Sequence, residues 1–511
     1  MGRNVLRLAA FFSLSALSGC ALIAGLDFSD EQGTTSGGGQ GGAGGTGTGT
    51  GTGTGAGVGG DAGWGPELLI SLDGANDDAV VGVTVLEGTD NIVALGRYTD
   101  DVGHLSGDMT HPVNADGFYL ARLDDVGDEI WSDFGHTTSL GLAGVASDTD
   151  DVIVAGKGGD AIDAGGNEVA LSSNDAFFFT ADHGGMIAGP TAFTDAGAQV
   201  PLDVAAGVGA DFILAGYFTT GVDLGGGHGI GEPDDDGAFV GAVAKTGTAQ
   251  WLTVALGLGN QRMRAVTTRL GNYIVAGTTD QSTTVQRSNG VGSTSLTHPE
   301  PGVLKVFWAE LDESGIPTGT GIFTGTGAQH VHDLAAAGGD GFVTVGYHNG
   351  ELTIPSLGSA MTTGMRDGYA AMIHPNDPSK QWLTRLEGPL QQEITAAAVH
   401  SQAEVVIGGF YEGAATLRSS GTDLPLPDST GNAQDMFVAG LDRATGRPLW
   451  VVTLHSEGSA DALEELAVDS LGRVVVAGTF SGALTFGNRT TPDTASGLAG
   501  FVARFDPTTL P

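Results

Sequence analysis

The segment "RVVVAGTF" (473–480) is one of seven near-copies of a short phrase that decides the fold. The other copies are "NIVALGRY" (91–98), "DVIVAGKG" (151–158), "DFILAGYF" (211–218), "NYIVAGTT" (272–279), "GFVTVGYH" (341–348) and "EVVIGGFY" (404–411). Successive copies lie 60 to 69 residues apart, measured between Gly96, Gly156, Gly216, Gly277, Gly346, Gly409 and Gly478. A period of this length over seven copies indicates a repeat architecture.

Three further pieces recur around each copy. A second phrase such as "AGFVARFD" (499–506) follows it, a third such as "QWLTRLEG" (381–388) comes next, and an apolar stretch such as "LEELAVDSLG" (463–472) precedes it. All are short, rich in Val, Ile and Phe, and bounded by Gly, Asp and Asn, which is typical of β-strands. The run "VVVAG" predicts a strand buried on both faces, whereas the alternation in "FVARFD" predicts a half-exposed one.

Four strands per repeat predict a four-stranded antiparallel sheet, which cannot cover both of its faces alone. Seven such sheets stacked face to face give an all-β fold, a seven-bladed β-propeller of four-stranded antiparallel blades. The last repeat ends after three strands, at "FVARFDPTTLP" (501–511), and "ELLISLDG" (67–74) matches the missing fourth. We therefore predict a ring closed by the N-terminal strand, which makes the last blade a 3+1 blade.

The pattern "DxFVAxLDxxG" followed by Trp, with "VxVAGxF" before it, resembles the SBBP-type β-propeller repeats of bacterial surface proteins. The resemblance extends over residues 67–506 and implies the fold while saying almost nothing about function. Two repeats depart from the pattern, because "MIAGPTAF" (186–193) and "IPTGTGIF" (316–323) contain no tryptophan.

The first twenty residues, "MGRNVLRLAAFFSLSALSGC", have the form of a signal peptide. Arg3 and Arg7 precede a ten-residue apolar run, 8–17, which is too short to span a bilayer comfortably. The segment "LSGC" (17–20) resembles the lipobox of bacterial lipoproteins, which implies cleavage before Cys20 and lipid on its thiol. Ala21 follows, and the resemblance then implies a lipid anchor in the bacterial outer membrane, facing the periplasm or the cell surface. An ordinary secretory signal that happens to contain a cysteine is the alternative.

We accordingly divide the chain into a lipoprotein signal peptide (1–19), a lipidated cysteine with a flexible Gly/Thr-rich tether (20–63) and a seven-bladed propeller (64–511). The tract 33–63 is 31 residues with almost nothing to bury. As flexible coil it has an r.m.s. span of about 30 Å, so it would hold a folded body loosely off a membrane.

The charge balance limits the partners. Lys and Arg total 20 against 60 Asp and Glu, a formal net charge of −40. Such a surface repels nucleic-acid phosphates and anionic lipids, so we expect no nucleic acid and no membrane binding by charge. A solubility surface and weak divalent-cation binding are the two interpretations of the acidity. Cys20 is the only cysteine, so no intramolecular disulfide can form.

Three motifs suggest metal or cofactor chemistry, each with a plainer alternative. "HVHD" (330–333) places His330 and His332 on one face of a strand, but zinc needs a third ligand that the sequence does not identify, which favours ordinary surface histidines. "EPDDDG" (232–237) and "SDTDD" (147–151) resemble calcium loops without the full spacing, which favours solvated turns. "LDRATGRPLW" (441–450) resembles a quinoprotein motif but occurs once, which favours a hairpin turn with Gly446 in a left-handed conformation.

The loops between the second and third strands of each repeat, such as 217–235 and 278–304, are long. They are either a binding surface on one face of the propeller or decoration of its outer edge. No nucleophile elbow, P-loop or HExxH motif is present, although a catalytic set assembled from different blades stays open.

We therefore expect no catalytic, cofactor-binding or metal-binding residue, and the site residue that we single out is the lipidation site Cys20. The function predicted is a monomeric, non-catalytic binding or scaffold module for a protein or glycan of the cell envelope. The alternative is a carbohydrate-active enzyme, a hydrolase or lyase, with carboxylates at the mouth of the propeller channel. A purely structural role in the envelope is a third possibility that the sequence does not separate from the first.

Overall fold

The computed structural model describes residues 64–510 except 73–76, 100–101, 103, 107–115, 173, 195–196, 210, 226–228, 232–235, 401–403, 430–433, 457, 459–460 and 493–496. The expected signal peptide, Cys20 and the tether lie outside the described residues. Within the described residues the regular structure is β-strand, apart from three short 3-10 turns at Gly338–Asp340, Pro378–Lys380 and Pro507–Thr509.

The strands follow one another in repeating sets. The first are β1 (Leu68–Leu72), β2 (Ala79–Val85), β3 (Ile92–Tyr98), β4 (Asp116–Leu123), β5 (Glu129–Thr137), β6 (Gly141–Ser147), β7 (Asp151–Gly158), β8 (Ala161–Ala164), β9 (Asn167–Ala170), β10 (Asp175–Asp182) and β11 (Ile187–Phe193). Next come β12 (Gln199–Ala206), β13 (Asp211–Phe218), β14 (Gly221–Asp223), β15 (Gly229–Gly231), β16 (Gly237–Ala244), β17 (Ala249–Gly257), β18 (Gln261–Arg269), β19 (Asn272–Thr279), β20 (Thr283–Arg287), β21 (Thr294–Leu296), β22 (Lys305–Leu311) and β23 (Pro317–Ile322).

The second half of the chain repeats the arrangement. Its strands are β24 (Gln329–Ala336), β25 (Phe342–His348), β26 (Glu351–Ile354), β27 (Gly358–Met361), β28 (Asp367–Ile373), β29 (Trp382–Glu387), β30 (Gln392–His400), β31 (Glu404–Glu412), β32 (Thr416–Ser419) and β33 (Thr422–Pro425). The last are β34 (Gln434–Asp442), β35 (Pro448–Ser456), β36 (Ala462–Val468), β37 (Val474–Phe480), β38 (Leu484–Phe486), β39 (Arg489–Thr490) and β40 (Ala499–Phe505).

These strands form seven antiparallel blades around one axis. From the axis outward the four-stranded cores are β2-β3-β4-β5, β6-β7-β10-β11, β12-β13-β16-β17, β18-β19-β22-β23, β24-β25-β28-β29, β30-β31-β34-β35 and β36-β37-β40-β1. Each innermost strand contacts the innermost strands of both neighbouring blades, and β36 contacts β2, so the ring is closed. The predicted all-β, seven-bladed propeller is confirmed.

The ring closes through the N-terminal strand, as the sequence predicts. β1 pairs antiparallel with β40, with Leu68 opposite Arg504 and Leu72 opposite Gly500. Leu68 and Leu72 are buried in the apolar cluster between the last blade and the first. Glu67 adds ion pairs to this joint, its carboxylate lying 3.3 Å from the Arg473 guanidinium and 3.6 Å from that of Arg504. The last blade is therefore a 3+1 blade.

The third strand of the last blade differs from the prediction of half exposure. Every residue of β40 is buried, including Arg504. The half exposure predicted from the alternation in "FVARFD" is wrong because β1 and β37 pair with both edges of β40 and the neighbouring blades cover both of its faces. The guanidinium of Arg504 is accommodated because it donates to the Asp125 carbonyl and lies beside Glu67.

The long loops between second and third strands extend the outer edges of the blades. The hairpin β8–β9 pairs with β5 of the preceding blade, and β20–β21, β32–β33 and β38–β39 do the same with β17, β29 and β35. The hairpins β14–β15 and β26–β27 form separate two-stranded sheets. Of the two interpretations of these loops, outer-edge decoration therefore describes these four hairpins. Through these four hairpins, the second, fourth, sixth and seventh blades each pair with the blade before them.

Tryptophans on fourth strands lock neighbouring blades together. The indole Nε1 of Trp382 donates to the Arg443 carbonyl at 2.8 Å, and that of Trp251 donates to the Glu313 carbonyl at 3.1 Å. Each ring packs against a turn glycine of the next blade, so that a Cβ on Gly446 would lie 2.4 Å from the Trp382 ring. Gly446 has φ 69°, which confirms the predicted left-handed hairpin turn in "LDRATGRPLW".

Replacing Leu72 by alanine should weaken ring closure. Leu72 is fully buried, so we expect Leu72→Ala to lower the free energy of unfolding by about 2–5 kcal/mol. The measurement is urea denaturation followed by tryptophan fluorescence. Leu471→Ala is the control, because Leu471 is 71% exposed and its loss should change little. Equal effects of the two substitutions would contradict this account of closure.

Replacing Gly446 by alanine should cost more than the same change at Gly421. Both glycines have positive φ, 69° and 80°, so both alanines carry backbone strain. A Cβ on Gly421 meets nothing within 4 Å, whereas one on Gly446 meets the Trp382 ring. We expect Gly446→Ala to be less stable than Gly421→Ala by about 1–3 kcal/mol in urea denaturation. Identical midpoints would show that the tryptophan contact does not hold the blades together.

Candidate functional site

Each innermost strand contains a β-bulge at the same position. The register between first and second strands shifts once in every blade, and the extra residues are Val81, Ala143, Leu202, Arg264, His332, Thr395 and Glu464. A bulge leaves one residue outside the ladder and changes the direction of its side chain. The seven bulge residues therefore form one ring around the axis.

A second ring lies two residues earlier on each innermost strand, near the face that carries the connections between blades. Its members are Ala79, Gly141, Val200, Arg262, His330, Glu393 and Ala462. In the first three blades both rings consist of small or apolar residues. From the fourth blade onward every member except Ala462 is an arginine, histidine, glutamate or threonine, so one side of the mouth of the propeller is polar.

We call the charged group on this side the mouth cluster, which consists of Arg262, Arg264, His330, His332, Arg366 and Glu393. Glu393 is buried and held by two partners, because its Oε2 lies 3.0 Å from His332 Nε2 and its Oε1 accepts from Arg366 Nη1. This carboxylate joins the innermost strands of the fifth and sixth blades and is committed to an ion pair.

Tyr347 is the aromatic centre of the cluster. The ring of His330 stacks on it with 4.4 Å between centroids and 14° between planes, and Arg366 Cζ lies 4.7 Å from the same centroid. Burial holds the pKa of His330 well below its usual range, and the guanidinium of Arg264 adds to this effect. His330 is therefore neutral near pH 7.

The two arginines of the fourth blade differ in their partners. Arg262 Nη2 lies 3.2 Å from Asp236 Oδ2, and its Cζ lies 4.5 Å from the centroid of Tyr217. Arg264 Nε donates to Thr278 Oγ1 at 3.4 Å, and burial together with Arg262 lowers its pKa to about 10. Both line a pocket of about 390 Å³ between Asn260, Thr278, Asp280 and the segment 302–304.

Buried acids on the innermost strands connect adjacent blades. The Asp203 carboxylate accepts from the amides of Val204 and, across the blade boundary, Val266, and Asp333 does the same with Leu334 and Ala397. Burial raises the pKa of Asp203 well above its usual range, and the negative charges of Asp333 and Glu465 add to the shift. Because these carboxylates bond backbone amides inside the ring, they act as structural joints.

Glu464 is the acid of the bulge ring with a shifted pKa. Burial raises its pKa to about 7, while the charge of Arg97 acts in the opposite direction. Asp461 directly precedes the same innermost strand, β36. Burial raises its pKa to about 6, and its carboxylate accepts a hydrogen bond from Ser456 Oγ at 2.6 Å.

The motifs that suggested metals have other partners where the structure describes them. His330 and His332 both contact the Tyr347 ring, and the described residues contain no group of three His, Cys, Asp or Glu that could hold a metal ion. In "SDTDD", Asp148 and Asp151 bind Lys245 Nζ at 2.8 and 2.5 Å. In "EPDDDG", Asp236 pairs with Arg262, and residues 232–235 lie outside the described part of the chain.

Sequence reasoning singled out His330 and His332 but missed the residues that surround them. Arg262, Arg264, Arg366 and Glu393 were not identified because no local motif joins them. An alignment of the first strands of the seven repeats would have identified the arginine. Arg264 stands where three other repeats have the apolar residues Val81, Ala143 and Leu202. Cys20, the lipidation site predicted from the sequence, lies outside the described residues.

Comparisons with known proteins support the architecture. No known protein-family profile matches the chain. A segment of 131 residues is 30% identical to an uncharacterized WD repeat-containing protein of Acanthamoeba polyphaga mimivirus, covering 25% of this chain and 9% of that protein. The chain thus matches less than a tenth of the length of this curated relative.

Two solved structures are distant neighbours. One is a neuraminidase-like protein of A/little yellow-shouldered bat/Guatemala, with 8% identity, a TM-score of 0.32 and coverage of 85% of this chain and 98% of that one. The other is the extracellular domain of a one component system from B. thetaiotaomicron, with 8% identity, a TM-score of 0.16 and coverage of 85% and 73%. Likenesses this weak say nothing about function.

The closed ring of seven blades and the similarity to a WD repeat-containing protein define the class: the chain is a β-propeller repeat protein. Within the described residues there is no helix of the length and hydropathy needed to cross a membrane.

Glu464→Gln should change how stability depends on pH. The carboxyl has an ordinary pKa of 4.5 and a folded pKa of about 7, so the folded state binds the extra proton between these values. Stability contributed at this position is therefore complete below pH 4.5 and is lost as the pH rises to 7. We expect Glu464→Gln to exceed the wild type in free energy of unfolding by about 2 kcal/mol at pH 8 and by little at pH 4.

Urea denaturation at the two pH values measures this difference. The control is Glu168→Gln, because Glu168 is exposed on β9 and should show no such dependence. The same gain at pH 4 and pH 8 would contradict the raised pKa of Glu464.

Proposed function

We propose that the chain is a membrane-anchored bacterial envelope lipoprotein of the SBBP repeat type, whose propeller is a non-catalytic binding or scaffold module for a protein or glycan. The observation that carries the binding role is the unequal mouth of the ring. Three blades place apolar residues there, and the other side carries the mouth cluster and a pocket of about 390 Å³. The propeller fold does not require this polar side, because the first three blades form their joints without it.

The chemistry of the mouth cluster favours binding over acid–base catalysis. Its carboxylate, Glu393, is held by His332 and Arg366, and burial keeps His330 neutral. Groups that are fixed by partners and supported by interlocked blades present a constant shape and charge to a ligand. A rigid scaffold with a preformed polar face is what a binding module needs.

The anchoring part of the proposal rests on the residues around Cys20. A signal-peptide core, the "LSGC" segment and a Gly/Thr-rich tract in that order are typical of a lipoprotein held off a membrane by a tether. Several acyl chains together give stable anchoring where one would not. The partner is then a protein or glycan of the cell envelope, bound by a monomer, and the charge of −40 disfavours nucleic acid.

A second candidate function is a carbohydrate-active hydrolase or lyase with carboxylates at the channel mouth. Glu464 favours it, because a carboxyl with a pKa of about 7 can exchange a proton near neutral pH. Two acids commonly divide the work in glycoside hydrolysis, and Asp461, with a pKa of about 6, is the nearest shifted acid in the sequence.

Replacing Cys20 by serine should release the protein from membranes. We expect the wild type, expressed in a Gram-negative host, to incorporate radiolabelled palmitate and to sediment with the outer membrane. Cys20→Ser should incorporate none and stay in the soluble fraction. Palmitate incorporation by both forms would contradict lipidation at Cys20.

Binding is tested by presenting the full-length chain to a glycan array and to envelope extracts, with and without calcium. We expect capture of one ligand class by the wild type and by the outer-edge control Arg489→Ala, and loss of capture when Arg366 and His330 are both replaced by alanine. Release of new reducing ends from a captured glycan, abolished by Glu464→Gln, would instead establish the enzyme.

A further inference from the structure

Arg264 is a cation without a counter-charge in a strongly acidic protein. Its neighbours in the mouth cluster are paired, Arg262 with Asp236 at 3.2 Å and Arg366 with Glu393. Arg264 makes one hydrogen bond, from Nε to Thr278 Oγ1 at 3.4 Å, and among the described residues no carboxylate lies within 4.0 Å of it.

The surroundings of Arg264 disfavour its charge. Burial and the nearby guanidinium of Arg262 lower its pKa to about 10, yet the group remains charged at neutral pH. Of the charged neighbours that depress the pKa of His330, Arg264 is the strongest. A partly buried guanidinium without a carboxylate partner costs stability, and an anion that bonds both of its free amino groups would recover that cost.

The pocket beside Arg264 has room for such an anion. It has a volume of about 390 Å³ and is lined by Asn260, Arg262, Arg264, Thr278, Asp280 and the segment 302–304. A volume of this size suits a small organic molecule. The wall thus combines the two guanidiniums with a hydroxyl, an amide, one carboxylate and a short apolar segment.

The carboxylate in the wall limits the charge of the ligand. Asp280 Oδ1 accepts from the Asn260 amide at 2.9 Å, and its Oδ2 lies 3.4 Å from Asn260 Nδ2. This fixed carboxylate repels a second negative charge on the ligand, but its oxygens accept hydrogen bonds from hydroxyl groups. The pocket therefore suits a monoanion whose single charge faces Arg264 and whose hydroxyls face Thr278 and Asp280.

We propose that Arg264 binds the carboxylate of an acidic sugar, of the uronic acid class, in the pocket formed by Asn260, Thr278, Asp280 and residues 302–304. The planar guanidinium matches a carboxylate with two parallel hydrogen bonds, which lysine cannot reproduce. This inference rests on the proposed function, because it names the chemical class of glycan that the mouth of the propeller recognises.

The test is isothermal titration calorimetry of the full-length chain with D-glucuronate, D-glucose and inorganic phosphate. We expect the wild type to bind glucuronate and to bind glucose and phosphate at least tenfold more weakly. Arg264→Met should weaken glucuronate binding at least tenfold, while Arg489→Met, at an exposed arginine on the outer edge, should leave it unchanged. Asp280→Asn should strengthen phosphate binding, because it removes the repulsion of a dianion.

Thermal melting of each variant checks that it folds. If Arg264→Met does not fold, Arg264→Lys takes its place, and the loss of the planar fork should still weaken glucuronate binding at least threefold. Glucuronate binding that is equal in the wild type and the Arg264 variant, or absent at millimolar concentration, would overturn the inference.

The array experiment separates this failure from failure of the proposed function. A protein or neutral glycan captured equally by the wild type and Arg264→Met would overturn the acidic-sugar site and leave the binding module intact. Failure to capture any ligand would remove both.

Discussion

Seven sheets of this kind bury both of their apolar faces only in a closed ring, and the pairing of β1 with β40 closes that ring. Every blade exposes two apolar faces, and each face is covered by the next blade around the axis. Without β1, the outer edge of β40 would lose its partner strand, and Leu68 and Leu72 would leave the cluster between the last blade and the first. Because the first strand belongs to the last blade, the two ends of the described chain are held together and the ring cannot open at one weak joint.

The joints between other blades repeat the same principle with different groups. Buried carboxylates of Asp203 and Asp333 bond amides of the following blade, and tryptophans such as Trp382 cover a turn glycine of the following blade. Four of the hairpins inserted between second and third strands pair with the outer edge of the preceding blade. These contacts are spread from the axis to the rim, so the blades are fixed to one another at every radius.

Because the blades are fixed, the residues at the mouth of the propeller can differ between blades without changing the fold. Positions that are equivalent by register hold Val81, Ala143 and Leu202 in three blades but Arg264 and His332 in the next two. Blades with apolar residues at these positions pack against their neighbours without charged groups. The charged residues of the other blades are therefore not needed for the fold. A repeat protein can change these residues in a few blades without losing the core, and this freedom is why the mouth is the place to look for recognition.

The sequence by itself determined the number of blades, the four-stranded blade and the closing strand. These follow from the repeat period of 60 to 69 residues and from apolar runs of strand length that recur in each repeat. It also determined the left-handed turn at Gly446, since the turn is encoded by neighbouring residues. Only the tertiary structure decided that Arg504 is buried, that the long loops become outer-edge strands, and that Arg262, Arg264, His330 and Glu393 meet at one place. Those outcomes depend on which residues of different blades face each other across the axis or across a blade boundary. Such contacts join residues about 60 positions apart, and no local spacing in the sequence expresses them.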